Sequence, residues 1–226
     1  MSSVIPSRLT TPDLTFYTAN TPNGQKVSIY LQEAGLPYRQ VDVALDKGEQ
    51  RHPDYLAINP NGKIPALVDH GEGITVFESG AILGYLSSQY GPLHPTQRHE
   101  QWQVQQWLHF QVGGIGPMLG QLWWFLHGSQ SRNREAIERY TKEAHRLYGV
   151  VDRRLAESNY LALDRYTIAD IAAFPWLRSH DELRLDIGQY RHVARWLERI
   201  AERPAVQRGL AALRRPAAAT QDRAEA

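Results

Sequence analysis

The chain contains no cysteine. Disulfides, thiolate–metal sites and a protein cysteine nucleophile are therefore excluded, and any thiol chemistry needs a thiol carried in by a ligand. Net charge is nearly absent too. The balance of 25 Lys and Arg against 24 Asp and Glu leaves +1, too weak a field to recruit nucleic acid or a membrane surface. The 9 histidines are scattered, with no H-E-x-x-H or similar spacing, so no metal is expected. No glycine pattern follows a strand as a dinucleotide or phosphate loop requires. Residues 101–131 carry no Asp, Glu, Lys or Arg, a length that would span a bilayer. Gln101, Gln103, Gln105, Gln106, Gln111 and Gln121 would be stranded in lipid, so the stretch reads as a soluble helix facing a partner or a cavity. Residues 1–11 have neither the apolar core nor the cleavage pattern of a signal peptide. They and the Ala-rich residues 215–226 read as flexible termini, and the expected location is the cytoplasm.

What is present reads as a soluble globular protein: 42% hydrophobic and 22% charged over 226 residues, enough for one large or two small domains. The first half alternates strand and helix. Leu14-Thr15-Phe16-Tyr17-Thr18 is β-rich, and a helix from Val27 to Ala34 stops at Gly35. Between them lies Thr21-Pro22-Asn23-Gly24-Gln25-Lys26, with Asn23 as a good N-cap and Lys26 expected to point to solvent. A helix N-terminus there offers unpaired N–H groups and partial positive charge to an anion. A second strand runs over residues 38–43 and a short helical stretch over residues 52–58. Pro65 opens the next strand, in Asn61-Gly62-Lys63-Ile64-Pro65-Ala66-Leu67-Val68-Asp69. The bond before it is either cis, which frees the Ile64 backbone for a peptide ligand, or trans at the head of an edge strand. After strand Ile74-Thr75-Val76-Phe77, Ser79 reads as the N-cap of a helix that reaches Gly91-Pro92. Free N–H groups at Ser79 suit a carboxylate and Glu78 suits an ammonium, together the head of an amino acid.

Residues 92–97 read as a linker, and everything beyond is helical in pattern. Gly113-Gly114, Gly116 and Pro117 are expected to interrupt a helix that resumes at Met118. A long helix covers residues 134–157. Thr167 and Asp170 form a capping box with Tyr166 and Ile171 as its staple, and two helices split by Pro204 close the chain. The tryptophans read as core or cleft wall.

Three stretches in this order are family markers: Asn59-Pro60-Asn61-Gly62-Lys63-Ile64-Pro65-Ala66-Leu67, Phe77-Glu78-Ser79-Gly80-Ala81-Ile82 and Thr167-Ile168-Ala169-Asp170. Residues 14–213 resemble a cytosolic glutathione transferase. Thr21-Pro22-Asn23-Gly24 and the run from Trp107 through Gln111-Val112-Gly113-Gly114 to Gly120-Gln121 resemble the bacterial Nu class, which is similar to the C-terminal domain of the nitrogen-regulating prion protein.

The resemblance implies an α/β thioredoxin-like N-terminal domain, residues 12–93, and an all-α C-terminal domain, residues 98–214. It implies a homodimer that uses glutathione, as two molecules or one oxidised molecule per site, to reduce small-molecule disulfides. Thr21 and Asn23 fall where the class stabilises the glutathione sulfur. Gln50, Lys63 and Ile64 fall where the class holds the glycyl and cysteinyl parts, Glu78 and Ser79 where it holds the γ-glutamyl head, and Arg139 where an arginine reaches toward the ligand. Tyr17 stands as the alternative sulfur ligand, since several classes keep a catalytic tyrosine there. Leu122-Trp123-Trp124-Phe125 departs from the class pattern by being bulkier and more apolar. That leaves two other functions open: conjugation of apolar electrophiles, and a non-enzymatic binding or regulatory module.

Overall fold

The computed structural model describes residues 13–131 and 133–214; both flexible-terminus expectations lie outside these residues. Four strands, β1 (Leu14–Thr18), β2 (Arg39–Asp42), β3 (Ala66–Asp69) and β4 (Ile74–Phe77), form one mixed sheet in the order β2-β1-β3-β4. β1 and β2 pair in parallel around the crossover helix α1 (Pro22–Glu33), while β3 lies antiparallel to both β1 and β4. Two short 3-10 turns and α2 (Pro53–Ile58) lie between β2 and β3, and α3 (Ser79–Tyr90) follows β4. This is a thioredoxin-like domain.

The helical domain holds α4 (Arg98–Phe110), α5 (Gly116–Trp123), α6 (Arg134–Glu157), α7 (Ile168–Leu177), α8 (Arg191–Ala201) and α9 (Pro204–Ala212). The expected break at the glycines does not occur. A widened π-type turn, Gln111–Ile115, carries α4 into α5, and a second, Trp124–Gly128, extends α5. A π turn absorbs an extra residue without breaking the ladder of hydrogen bonds, and it re-aims the side chains on either side.

The two domains share one hydrophobic core, running from Phe16, Ile29 and Leu67 through Leu83 and Ile115 to Phe174, Trp196 and Val206. α1 is its hub, packing on α3, α7 and α9. Its contact with α9 is backbone-close: a Cβ on Gly209 would lie 2.6 Å from Ile29 Cα, and Ser28 Oγ donates to Gly209 O at 2.7 Å. α7 is buried almost all round, and the Thr167–Asp170 capping box forms as the sequence predicts. Asp170 also accepts from Leu161 N–H and the Trp196 indole, tying α8 to the start of α7.

Candidate functional site

A cleft runs between the C-terminal edge of the sheet domain and the helices α5 and α7. It is described by two adjoining cavities, ≈ 490 Å³ and ≈ 380 Å³. Asn23, Lys63, Ile64, Gly120 and Trp176 line both. Thr21, Gln50 and Trp123 line the first, and Lys26, Glu78, Ser79 and Gln111 the second. A larger polar cavity, ≈ 750 Å³ between the end of α6 and α8, lies on the helical domain and holds none of the predicted site residues.

The β1–α1 turn supplies three donors. Thr21, not Asn23, is the cap: Thr21 Oγ1 accepts from Gly24 N–H at 3.3 Å, which leaves its own hydroxyl hydrogen to point elsewhere. The helix therefore starts one turn earlier than its apolar residues suggest, because Pro22 fills the first helical position, where it has no N–H to lose. The Asn23 N–H has no partner among the described residues. Asn23 Oδ1 accepts from the Trp176 indole N–H at 3.0 Å. An indole nitrogen only donates, so it selects the amide orientation and leaves both Asn23 Nδ2 hydrogens available. Gly24 makes the turn tight: a Cβ there would meet Ala19 O at 2.2 Å and Thr18 Oγ1 at 2.5 Å.

The loop before β3 is pinned from beneath. Tyr55 Oη and Asn59 Nδ2 both donate to Lys63 O at 2.6 Å. The Ile64–Pro65 bond is cis, and the Ile64 N–H and C=O carry no hydrogen bond among the described residues. Gln50 Oε1 is buried beside this loop without a partner among the described residues.

At the start of α3 the structure differs from expectation. Ser79 is the first helical residue, and Glu78 occupies the cap position with φ 71°. That left-handed backbone is costly for a residue with a side chain, and such strain concentrates at binding sites. It turns the Glu78 carboxylate toward Asn61 Nδ2 at 3.5 Å, while the N–H groups of Ser79 and Gly80 stay free among the described residues.

Lys26 does not point to solvent. It is 1% exposed, and its Nζ donates to Ser79 Oγ at 3.1 Å and to Gln111 Oε1 at 2.6 Å. Burial pushes the ammonium down to about 7, and the Glu78 carboxylate opposes that shift. α1 is buried over most of its surface, so no polar face marks where Lys26 should go.

The cleft thus gathers Thr21, Asn23, Gln50, Lys63, Ile64, Glu78 and Ser79. Arg139 is exposed on α6 and lines neither cavity. Tyr17 faces the opposite side of the sheet, in a small cluster with Val43 and Tyr55, so it is not a sulfur ligand in this cleft. Lys26 and Tyr55 are the participants that sequence reasoning placed elsewhere or passed over, and Trp176 is a cleft-wall tryptophan as expected, with a bond to Asn23 that no local signal expresses. Among the described residues no group of side chains could hold a metal ion, and no helix is long and apolar enough to cross a membrane.

Residues 12–88 match the family described as Glutathione S-transferase, N-terminal domain, and residues 115–204 match Glutathione S-transferase, C-terminal domain. The chain belongs to the glutathione transferase family. It is 46% identical over 199 residues to the Disulfide-bond oxidoreductase YfcG of Escherichia coli (strain K12), covering 86% of this chain and 93% of that protein. A glutathione transferase from Pseudomonas putida, solved with one glutathione disulfide bound per subunit, superposes with a TM-score of 0.81 at 40% identity, covering 91% and 93% of the two chains. A glutathione transferase homolog from Lodderomyces elongisporus, solved with two GSH per subunit, gives a TM-score of 0.85 at 34% identity, covering 88% and 98%.

Proposed function

We propose that this protein is a glutathione-dependent disulfide reductase. The observation that carries the reading is the Trp176–Asn23 hydrogen bond, which turns the Asn23 amide N–H donors outward beside the free Asn23 N–H and the Thr21 hydroxyl. Three donors converging at a helix N-terminus suit a thiolate, and the chain has no cysteine of its own to occupy them. The names and ligands of the relatives, a disulfide-bond oxidoreductase and structures with glutathione disulfide or two GSH, support the same reading.

A free thiol titrates near 8.5, so only a small part is ionised at neutral pH. Donors to the charged form lower that value; a shift of about one to two units makes most of the bound thiol nucleophilic. The glutathione thiolate attacks one sulfur of the substrate disulfide and forms a mixed disulfide, and the other sulfur leaves as a thiolate. A second glutathione thiolate attacks the glutathione sulfur of that mixed disulfide, releasing the remaining substrate thiolate and oxidised glutathione. Ile64, through its unpaired backbone, is assigned to the cysteinyl unit, Gln50 and Lys63 to the glycyl end, and Glu78 and Ser79 to the γ-glutamyl head. The cytoplasm, where glutathione is the prevailing reductant, is the fitting location.

The second reading is conjugation of apolar electrophiles. Trp123 favours it, being 44% exposed on the rim of the thiol cavity. Coupled turnover of a small disulfide with glutathione, run beside conjugation of an aromatic electrophile, decides between them. Disulfide turnover that exceeds conjugation supports the first reading, and the reverse order overturns it.

The homodimer is part of the proposal. Trp102, 60% exposed on α4, opens the stretch of residues 101–131 that carries no Asp, Glu, Lys or Arg, and Ile74 and Phe77 are exposed on the edge strand β4. A sedimentation mass of two chains at micromolar concentration is expected, and a mass of one chain refutes the dimer.

A further inference from the structure

Lys26, Ser79 and Gln111 form a buried polar junction that the sulfur chemistry leaves unused. Each comes from a different element: α1, the first residue of α3, and the π turn between α4 and α5. Gln111 is 0% exposed, and its Nε2 is buried with no hydrogen-bond partner among the described residues. An orphaned buried donor is costly and therefore calls for an acceptor. All three residues line the same cavity as Glu78.

The direction of these bonds carries information. A lysine ammonium has three donors and no acceptor. Where Nζ donates to Ser79 Oγ, the Ser79 hydroxyl hydrogen must point away from it. Where Nζ donates to Gln111 Oε1, the amide nitrogen must point away as well. One cation thus fixes two ambivalent groups as donors directed away from it, one from each domain. The group they are turned to receive is acceptor-only and negatively charged.

We propose that Lys26 is a positioning residue that orients Ser79 and Gln111 toward the α-carboxylate of the γ-glutamyl group and supplies its buried counter-charge. The inference rests on the glutathione reading above and adds to it a cross-domain recognition of one carboxylate. Glu78 takes the ammonium on the same carbon, so the two charges of the amino-acid head are read by separate groups.

A pH dependence follows. Around Lys26, the start of α3 offers Glu78, the loop before β3 offers Lys63, the π turn and α5 offer Gln111 and Gln121 with no charged group, and α7 offers Trp176. Among the described residues, Glu78 and Lys63 are the only other charged groups lining this cavity. The free protein's Lys26 loses its proton near the pKa of about 7 that burial imposes. A bound carboxylate favours the protonated form and raises that value. Affinity is therefore constant below neutral pH and falls as pH rises beyond it. Neutral lysine also accepts from the Ser79 hydroxyl and reverses its direction.

The test uses calorimetric titration with S-methylglutathione, whose sulfur does not titrate, and with its analogue carrying 4-aminobutyryl in place of γ-glutamyl, which lacks only the α-carboxylate. From pH 6 to 8.5 the wild-type dissociation constant for S-methylglutathione should rise by roughly tenfold, with a flat profile for the analogue. Lys26→Met, which keeps the packing, should weaken S-methylglutathione ten- to a hundredfold, abolish the pH dependence, and leave the analogue within about twofold. A flat wild-type profile overturns the inference without any variant. So does an equal loss for both ligands in Lys26→Met. Failure of the wild type to bind S-methylglutathione at all would instead remove the glutathione reading beneath it.

Discussion

Helices α1 and α3 both start at the cleft, yet they start differently. α1 leaves an extended cap at Thr21, φ −132°, with Pro22 at its first position. α3 leaves Glu78 at φ 71°, with no side-chain cap. The first is built from residues that prefer that geometry and needs little outside help. The second holds a carboxylate in a backbone conformation that favours glycine, at a cost of about 1–3 kcal/mol met by the surrounding packing. The backbone at the Thr21 end of the cleft is thus locally encoded, whereas the Glu78 end holds one carboxylate on a strained residue.

The largest expected effect tests how tightly the first turn is fitted. Gly24→Ala puts a methyl group 2.2 Å from Ala19 O, so the turn must move. Overpacking against backbone should cost roughly 2–4 kcal/mol. Calorimetric melting should show the loss directly, and a variant as stable as the wild type would show that the turn yields. Asn23→Ala comes next. Removal of a donor to a charged sulfur, worth about 1.5–3 kcal/mol, should cut disulfide reduction roughly ten- to a hundredfold with a smaller change in glutathione affinity. Trp176→Phe should lower the rate less, and add little to Asn23→Ala, because both act on one amide. The apparent pKa of bound glutathione, followed by thiolate absorbance, should rise toward the free value in Asn23→Ala.

At the other helix two substitutions separate charge from strain. Glu78→Ala and Glu78→Gly should each weaken glutathione by about tenfold while leaving turnover at saturation nearly unchanged, since an ammonium partner acts equally in ground and transition states. Glycine alone should also stabilise the fold, by up to about 1 kcal/mol, because it adopts φ 71° without a Cβ penalty. Equal melting temperatures for the two variants would mean that the strain is not there. Thr21→Ala should be the mildest change in the first turn: a lost cap worth about 1 kcal/mol, or roughly 2–4 °C in a chain of this size, with a smaller loss of disulfide reduction than Asn23→Ala because the Asn23 N–H still donates.

Most elements were legible because their signals are local. β1, β4 and α6 have the expected bounds, and α3 ends where Gly91-Pro92 requires it. The Thr167–Asp170 box is a four-residue statement that needs no distant partner. The failures share a cause. Helix continuity through the 113–117 glycines depends on α4 and α5 being packed against α7 along their length, which no local propensity expresses. The Glu78 cap position depends on where β4 ends relative to Asn61.

The sequence by itself determined that no protein thiol takes part, that Thr21, Asn23, Glu78 and Ser79 stand at helix starts, and that a thioredoxin-like half precedes a helical one. These follow from residue identity and short-range spacing. Only the tertiary structure decided which hydrogen each polar group presents to the cleft. Asn23 is turned by Trp176, distant in the chain, and Ser79 and Gln111 are turned by Lys26. An amide or hydroxyl is ambivalent in sequence. It acquires a direction only when folding brings a donor-only partner against one side of it.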